Sequence, residues 1–200
     1  GAIHQEMQQW QESIEYFNGE IESAEYDFTL LSDEKSEFTA QDVAEIAASN
    51  EQGKAANAQM RETLSGIRFL DTPSGKGYAK VLANAQAARA NYERALVSES
   101  TALSRTRQGI YATLLARLGR AEQGLLAGRQ SVAASAPTNA LSLQLTEKWI
   151  NAGLAESASL KENIQLTLEA ERLAAEEIAL EIEGSGLAAD ALSTAKALEI

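Results

Sequence analysis

The chain has 200 residues, a formal net charge of −12 at pH 7 and no cysteine. Disulfides, thiol chemistry and cysteine-based metal sites are therefore excluded, and so acidic a chain is repelled by nucleic acid, which we do not expect as a partner. Only two prolines occur, and alanine, leucine, glutamate and glutamine are abundant. This composition favours an all-α helical bundle.

The charge is distributed unevenly along the chain. Residues 1–51 hold thirteen acidic residues against one base, Lys35, whereas residues 89–129 have a local balance of +4 and residues 147–200 one of −7. The basic segment either pairs with acidic neighbours inside the bundle or meets a small anion. Internal pairing is the simpler interpretation.

The first predicted element is a helix over about residues 3–31. Apolar or small residues recur along it in alternating steps of four and three, a heptad pattern that predicts coiled-coil-like packing. The stripe comprises Ile3, Met7, Trp10, Ile14, Phe17, Ile21, Ala24, Phe28 and Leu31. A charged segment, residues 33–37, then interrupts the pattern.

A second helix is predicted over about residues 39–68. Thr39 with Asp42 three residues later is close to a capping box, which indicates a helix N-terminus. The apolar register of this helix places Asn50, Gly53 and Asn57 where core residues are expected.

Three polar segments that contain glycine or proline separate the remaining helices: residues 71–77, 131–139 and 183–186. The remaining helices are predicted at about 76–129, 139–183 and 187–200. At 1.5 Å per residue the third would be roughly 80 Å long. We therefore expect an elongated antiparallel helical rod, 1–200, with two stacked helical bundles that share the long helices. Whether the breaks at 32–38 and 183–186 are kinks or reversals stays open.

The two halves of the chain share a stripe, a polar break and a helix restart. Residues 11–33 and 161–183 align with four identities in 23 positions. The first copy, "AEYDFTLLSD…TAQDVAEI", resembles the helical bimodular sensor domain of bacterial methyl-accepting chemotaxis receptors, with an aromatic near a helix end, a short polar break and a valine-bearing helix. The matching residues are Tyr26, Phe28, Thr29, Asp33 and Val43. The second copy lacks the aromatic and the threonine.

The resemblance implies two stacked helical bundles in the periplasm, between two flanking transmembrane helices of an inner-membrane receptor. It also implies a small carboxylate as ligand, a homodimer, and a helix shift passed across the membrane. No apolar run approaches the roughly 18 residues of a membrane span, and Gly1-Ala2 is typical of a cloning remnant. We therefore expect an excised piece of a longer protein.

Enzymatic chemistry has little support in the sequence. His4 is the only histidine and lies near the N-terminus, where it is expected to be solvated, so no Ser-His-Asp set is predicted. Glu171, Glu176 and Glu177 lack the Glu-x-x-His motif of helical di-metal sites, and a solvated face explains them. We predict no enzyme, catalytic residue, cofactor or metal.

Polar residues that interrupt apolar stripes are the candidate binding residues. On the third helix, Arg107 falls within a stripe that includes Leu103, Ile110 and Leu114. The full candidate set is Asn57, Arg61, Arg107 and Arg172. Buried cations and amides need partners, so either they pair with acidic neighbours or fix helix register, or they converge on a carboxylate ligand through bidentate guanidinium contacts.

Two other functions fit the same composition. A periplasmic minor pilin or adhesin of a type IV secretion system would also be a cysteine-poor helical rod, with a glutamine-rich start such as "IHQEMQQWQE". A protein-binding helical scaffold is the other alternative. Stabilisation by a small molecule distinguishes the sensor from both.

Overall fold

The computed structural model describes residues 2–31, 38–65, 73–134 and 140–198. Side chains are described there except at residues 2–7, 73–85, 99–104, 140–142, 195 and 197–198. Four helices account for the described residues, apart from Phe38 and Thr39: α1 (Ala2–Leu31), α2 (Ala40–Ser65), α3 (Pro73–Ala134) and α4 (Ala140–Leu198). The predicted all-α fold class is confirmed. The charged segment after α1, residues 33–37, lies outside the described residues.

The predicted N-terminal cap of α2 is confirmed. The Thr39 backbone N–H donates to Asp42 Oδ2 at 2.9 Å, and the Asp42 N–H donates to Thr39 Oγ1 at 3.1 Å. These two bonds satisfy backbone donors that a helix N-terminus otherwise leaves without a partner. The backbone bond from Thr39 also holds the pKa of Asp42 below its ordinary value.

The break predicted at residues 183–186 is wrong, because α4 continues through it to Leu198 and joins the two helices predicted at 139–183 and 187–200. The glycines there have a packing role. A Cβ on Gly184 would lie 3.0 Å from Asn57 Oδ1, and one on Gly186 would lie 2.6 Å from Glu93 Oε1. Neighbouring side chains occupy the space that larger residues would fill, which explains glycine inside a helix despite its lower helix propensity.

The chain divides into two compact units. Unit 1 comprises Gly1–Phe38 and Arg107–Leu168, and unit 2 comprises Thr39–Thr106 and Glu169–Ile200. Unit 1 therefore contains α1 with the C-terminal part of α3 and the N-terminal part of α4. Unit 2 contains α2 with the remaining parts of α3 and α4.

Unit 1 has an apolar core built on the heptad pattern of α1. Ile14, Ile21 and Ala24 are buried there, and Phe28 packs on Tyr111 with ring centroids 5.9 Å apart. The buried cluster comprises Ile14, Ile21, Ala24, Tyr111, Leu114, Leu118, Ala121, Leu125, Ile150, Leu160 and Ile164. On α4, Ile150 takes a core position, whereas the side chain of the neighbouring Trp149 is exposed.

The interior of unit 2 is more polar. Its buried described residues are Asn50, Ala170, Leu173, Gly186, Asp190 and Thr194. The Asn50 amide donates to the Leu173 carbonyl at 3.0 Å, and Gln86 donates to Asp190 at 3.4 Å. Buried polar groups need such partners. The described interior of unit 2 therefore depends more on polar contacts than the apolar core of unit 1 does.

Candidate functional site

A cavity of about 590 Å³ lies among α2, α3 and α4 of unit 2. Its lining residues are Arg61, Arg89, Ala90, Glu93, Arg94, Val97, Ser98, Ala179, Ile182, Glu183, Gly186, Leu187 and Asp190. The volume falls in the range of small-molecule sites, roughly 300–1,000 Å³. Its walls combine charged groups with aliphatic side chains.

Helical periodicity brings these residues to one face of each helix. On α3, Arg89, Glu93 and Val97 follow one another at four-residue intervals, and on α4 the residues facing them recur at intervals of three or four. The two helix segments run antiparallel in unit 2, since Arg89 contacts Asp190 whereas Glu93 lies against Gly186.

Two ion pairs span the helices around the cavity. Arg89 pairs with Asp190 across α3 and α4, and Asp190 has only 9% of its side chain exposed. Arg61 of α2 pairs with Glu183 of α4 at a more exposed position. A half-buried pair such as Arg89–Asp190 costs more to break than a surface pair, because the remaining charge would be left desolvated.

Arg94 differs from the other two arginines of the cavity. Its guanidinium donates to the Ala90 carbonyl at 3.2 Å and to Asn91 Oδ1 at 3.0 Å. Within the described part of the chain, no carboxylate pairs with it. Neutral acceptors leave its positive charge uncompensated, so Arg94 is a cavity group that can receive an anion.

Glu93 is also incompletely paired. Its one salt-bridge contact among the described residues is a 3.7 Å approach of Glu93 Oε1 to Arg89 Nε, beyond hydrogen-bonding distance. The Glu93 side chain is 23% exposed. Glu93 and Arg94 therefore present opposite and incompletely satisfied charges to one cavity.

Of the four residues predicted from the sequence, only Arg61 lines this cavity. Asn57 packs beside it along α2, donating to the Leu180 carbonyl at 3.1 Å. Asn50 and Asn57 thus bond α4 carbonyls that are also seven residues apart, which matches the register-fixing alternative.

The remaining two predicted residues lie elsewhere. Arg172 is exposed and pairs within α4, with Glu169 at 2.5 Å and Glu176 at 3.5 Å. The Glu169 hydrogen bond raises the pKa of Arg172 and lowers that of Glu169. Arg107 is exposed and belongs to unit 1. The expected convergence of the four residues on one pocket is therefore not found.

The residues predicted from the sequence do not include Arg89, Glu93, Arg94 and Asp190 of this cavity. The available signal was the basic balance of residues 89–129 combined with Arg89, Glu93 and Arg94 at helical spacing. Nothing in the sequence indicates that Asp190 is buried, because its burial requires α4 to continue past the predicted break.

Known types of site and known proteins offer no assignment. In the described part of the chain, no group of three or more His, Cys, Asp or Glu residues could hold a metal ion, and no helix is long and apolar enough to cross a membrane. No family model, curated protein or solved structure matches this chain.

Proposed function

We propose that this chain is the periplasmic ligand-sensing domain of a transmembrane chemoreceptor, and that the cavity of unit 2 binds a small organic acid. The observation that carries the proposal is Arg94, a cavity arginine hydrogen-bonded only to neutral acceptors among the described residues. The resemblance of residues 23–46 to the helical bimodular sensor domain supports the same function.

The cavity has the chemistry that a carboxylate ligand requires. A guanidinium offers two parallel N–H donors to a carboxylate, which gives both strength and orientation. The aliphatic side chains of Val97, Ile182 and Leu187 provide an apolar surface for the carbon skeleton of the ligand.

Ligand binding can be coupled to a movement of α2. In unit 2 this helix is attached to α4 by the Arg61–Glu183 pair, by a 3.0 Å contact of Lys54 with Glu176, and by the Asn57 bond to Leu180. A ligand bound at Arg94 occupies the cavity that Arg61 and Glu183 also line, so it changes the surroundings of one of these attachments. It then shifts the population between two packings of α2, which is the signal of the proposed receptor.

The first test is a thermal-shift screen of the purified chain against mono-, di- and tricarboxylates of two to six carbons. A ligand at a hundredfold excess over its dissociation constant stabilises the native state by about 2.7 kcal/mol. Arg94→Gln should abolish that shift, whereas Arg105→Gln should preserve it. Arg105 is exposed on the same helix, outside the cavity. A flat screen, or equal losses in both variants, would overturn the proposal.

A different observation favours a dimer surface for the proposed receptor. Tyr16, Tyr26 and Leu30 of α1 are 62%, 65% and 68% exposed, and their spacing places them on one side of the helix. A second copy of this chain covering them would form the homodimer expected of a receptor. Light scattering should then show a dimer that Leu30→Glu dissociates and that Glu162→Gln, an exposed change on α4, leaves intact. A monomeric wild-type chain would exclude this pairing.

A further inference from the structure

The charged groups lining the unit 2 cavity cancel one another. Three are arginines and three are carboxylates: Arg61, Arg89, Arg94, Glu93, Glu183 and Asp190. The empty site is therefore formally neutral. A ligand with one negative charge would leave the occupied site negative, whereas a ligand that carries both charges would preserve the balance.

The pairing pattern shows where the two ligand charges would go. Arg61 and Arg89 are held by Glu183 and Asp190. This leaves Arg94, which donates to neutral acceptors, and Glu93, whose described salt-bridge contact is 3.7 Å long. The two residues are consecutive on α3 and both line the cavity, so one arginine and one carboxylate are available to the same ligand.

The Glu93 carboxylate lies next to Gly186 of α4. A Cβ at Gly186 would lie 2.6 Å from Glu93 Oε1 and 2.7 Å from Arg89 Nε. Any side chain at this position of α4 would displace both groups. The Glu93 carboxylate therefore lies beside α4, in space that a side chain at position 186 would otherwise occupy.

We infer that the cavity recognises an aliphatic zwitterion of the α-amino acid type, with its carboxylate on Arg94, its ammonium on Glu93, and its side chain against Val97, Ile182 and Leu187. This inference rests on the proposed function, because it specifies the class of acid that the sensor binds. A simple carboxylate bound at Arg94 would leave Glu93 facing a second negative charge, and like charges at close range are unfavourable.

The test compares isosteric probes that differ only in their charged groups. L-leucine, 4-methylpentanoate and 3-methylbutylamine share the α-carbon and its isobutyl side chain, and L-valine with its des-amino and des-carboxy analogues forms a second, smaller set. Isothermal titration of the full chain at pH 7 should show at least one of the amino acids binding at least tenfold more tightly than both of its analogues.

Two variants assign the charges. Glu93→Gln should weaken amino-acid binding at least tenfold and leave the des-amino acid unchanged or bound more tightly, whereas Arg94→Gln should weaken both. Glu181→Gln is the matched control, since Glu181 is exposed on α4 and does not line the cavity. Circular dichroism of each variant confirms that it is folded.

The outcomes separate this inference from the proposed function. If the des-amino acids bind as tightly as the amino acids, the zwitterion inference is overturned, whereas acid sensing through Arg94 stands. If the amino acids and their analogues do not bind but other carboxylates stabilise the chain, the zwitterion inference is overturned and the proposed acid-sensing function stands. If no carboxylate of either panel binds, both fall together.

Discussion

Substituting alanine at two glycines of α3, five residues apart, should have opposite effects on unit 1. A Cβ on Gly124 would overlap three ring atoms of Phe17, Cε1, Cζ and Cε2, whereas a Cβ on Gly119 would meet nothing within 4 Å. Phe17 packs against the apolar core. Its ring cannot move aside as the end of a flexible side chain could.

The magnitude follows from two opposing effects. Alanine in place of glycine in a helix interior gains about 1 kcal/mol at either position. At Gly124 the new methyl group lies more than about 1 Å inside the normal carbon–carbon separation, and such overpacking costs about 1–3 kcal/mol. The helix gain cancels between the two variants. Gly124→Ala should therefore be less stable than Gly119→Ala by about 1–3 kcal/mol.

Urea unfolding followed by tryptophan fluorescence reports this difference for unit 1 specifically. The chain has two tryptophans, Trp10 and Trp149, and both belong to that unit. For a slope of about 1.5 kcal/mol per molar urea, the midpoints should differ by about 0.7–2 M. Phe17→Leu should relieve part of the loss in Gly124→Ala. Equal midpoints for the two glycine variants would refute the packing argument.

Three further predictions concern local contacts. Thr39→Ala removes the α2 cap and should cost about 1 kcal/mol in chemical unfolding followed by circular dichroism. Asn50→Ala should cost about 1–2 kcal/mol in the same assay, because it removes a buried hydrogen bond to Leu173 and the volume of the side chain. The pKa of Glu156 is raised above its ordinary value of 4.5, first by a hydrogen bond with Glu25 and then by burial and charge repulsion. The stability that the contact between Glu156 and Glu25 contributes is therefore greatest below pH 4.5 and is lost as the pH rises through the raised pKa. Glu156→Gln should therefore raise the melting temperature at pH 7, by roughly a few tenths of a kcal/mol in stability, and lose that advantage near pH 4.

Matched controls keep these three predictions specific. Thr63→Ala and Ser49→Ala alter exposed positions of α2 and should change stability by less than about 0.5 kcal/mol. Glu162→Gln removes an exposed charge of α4 in unit 1 and should leave the pH dependence of stability near that of the unaltered chain. If Thr39→Ala or Asn50→Ala has the same unfolding free energy as its control, the corresponding contact does not stabilise the protein. If Glu156→Gln leaves the pH dependence of stability unchanged, the contact with Glu25 does not contribute to it.

Features that depend on neighbouring residues along one helix could be predicted from the sequence. The stripe that contains Ile14, Ile21 and Ala24 forms the buried face of α1, and the Thr39–Asp42 cap forms at the start of α2. Periodicity and capping act over a few residues of one segment. Their consequences can therefore be read before the tertiary structure is known.

The glycines near the C-terminus show where that reasoning fails. Glycine lowers helix stability and also allows close approach of another chain segment, and these two effects have the same signature in the sequence. Gly184 and Gly186 were interpreted as a break, whereas Asn57 and Glu93 occupy the space beside them within a continuous α4. Only the contact with other helices distinguishes the two cases.

The sequence by itself determined the all-helical class, the buried face of α1 and the unusual polar positions of α2. The tertiary structure decided which charged residues share a site, because the partner of an arginine depends on the register between helices distant in sequence. Arg172 finds two glutamates on its own helix, and Arg61 and Arg89 find acids on α4. Arg94 meets only neutral acceptors among the described residues. Helix register therefore makes Arg94 the candidate ligand-binding cation, a role that its charge and position in the sequence did not reveal.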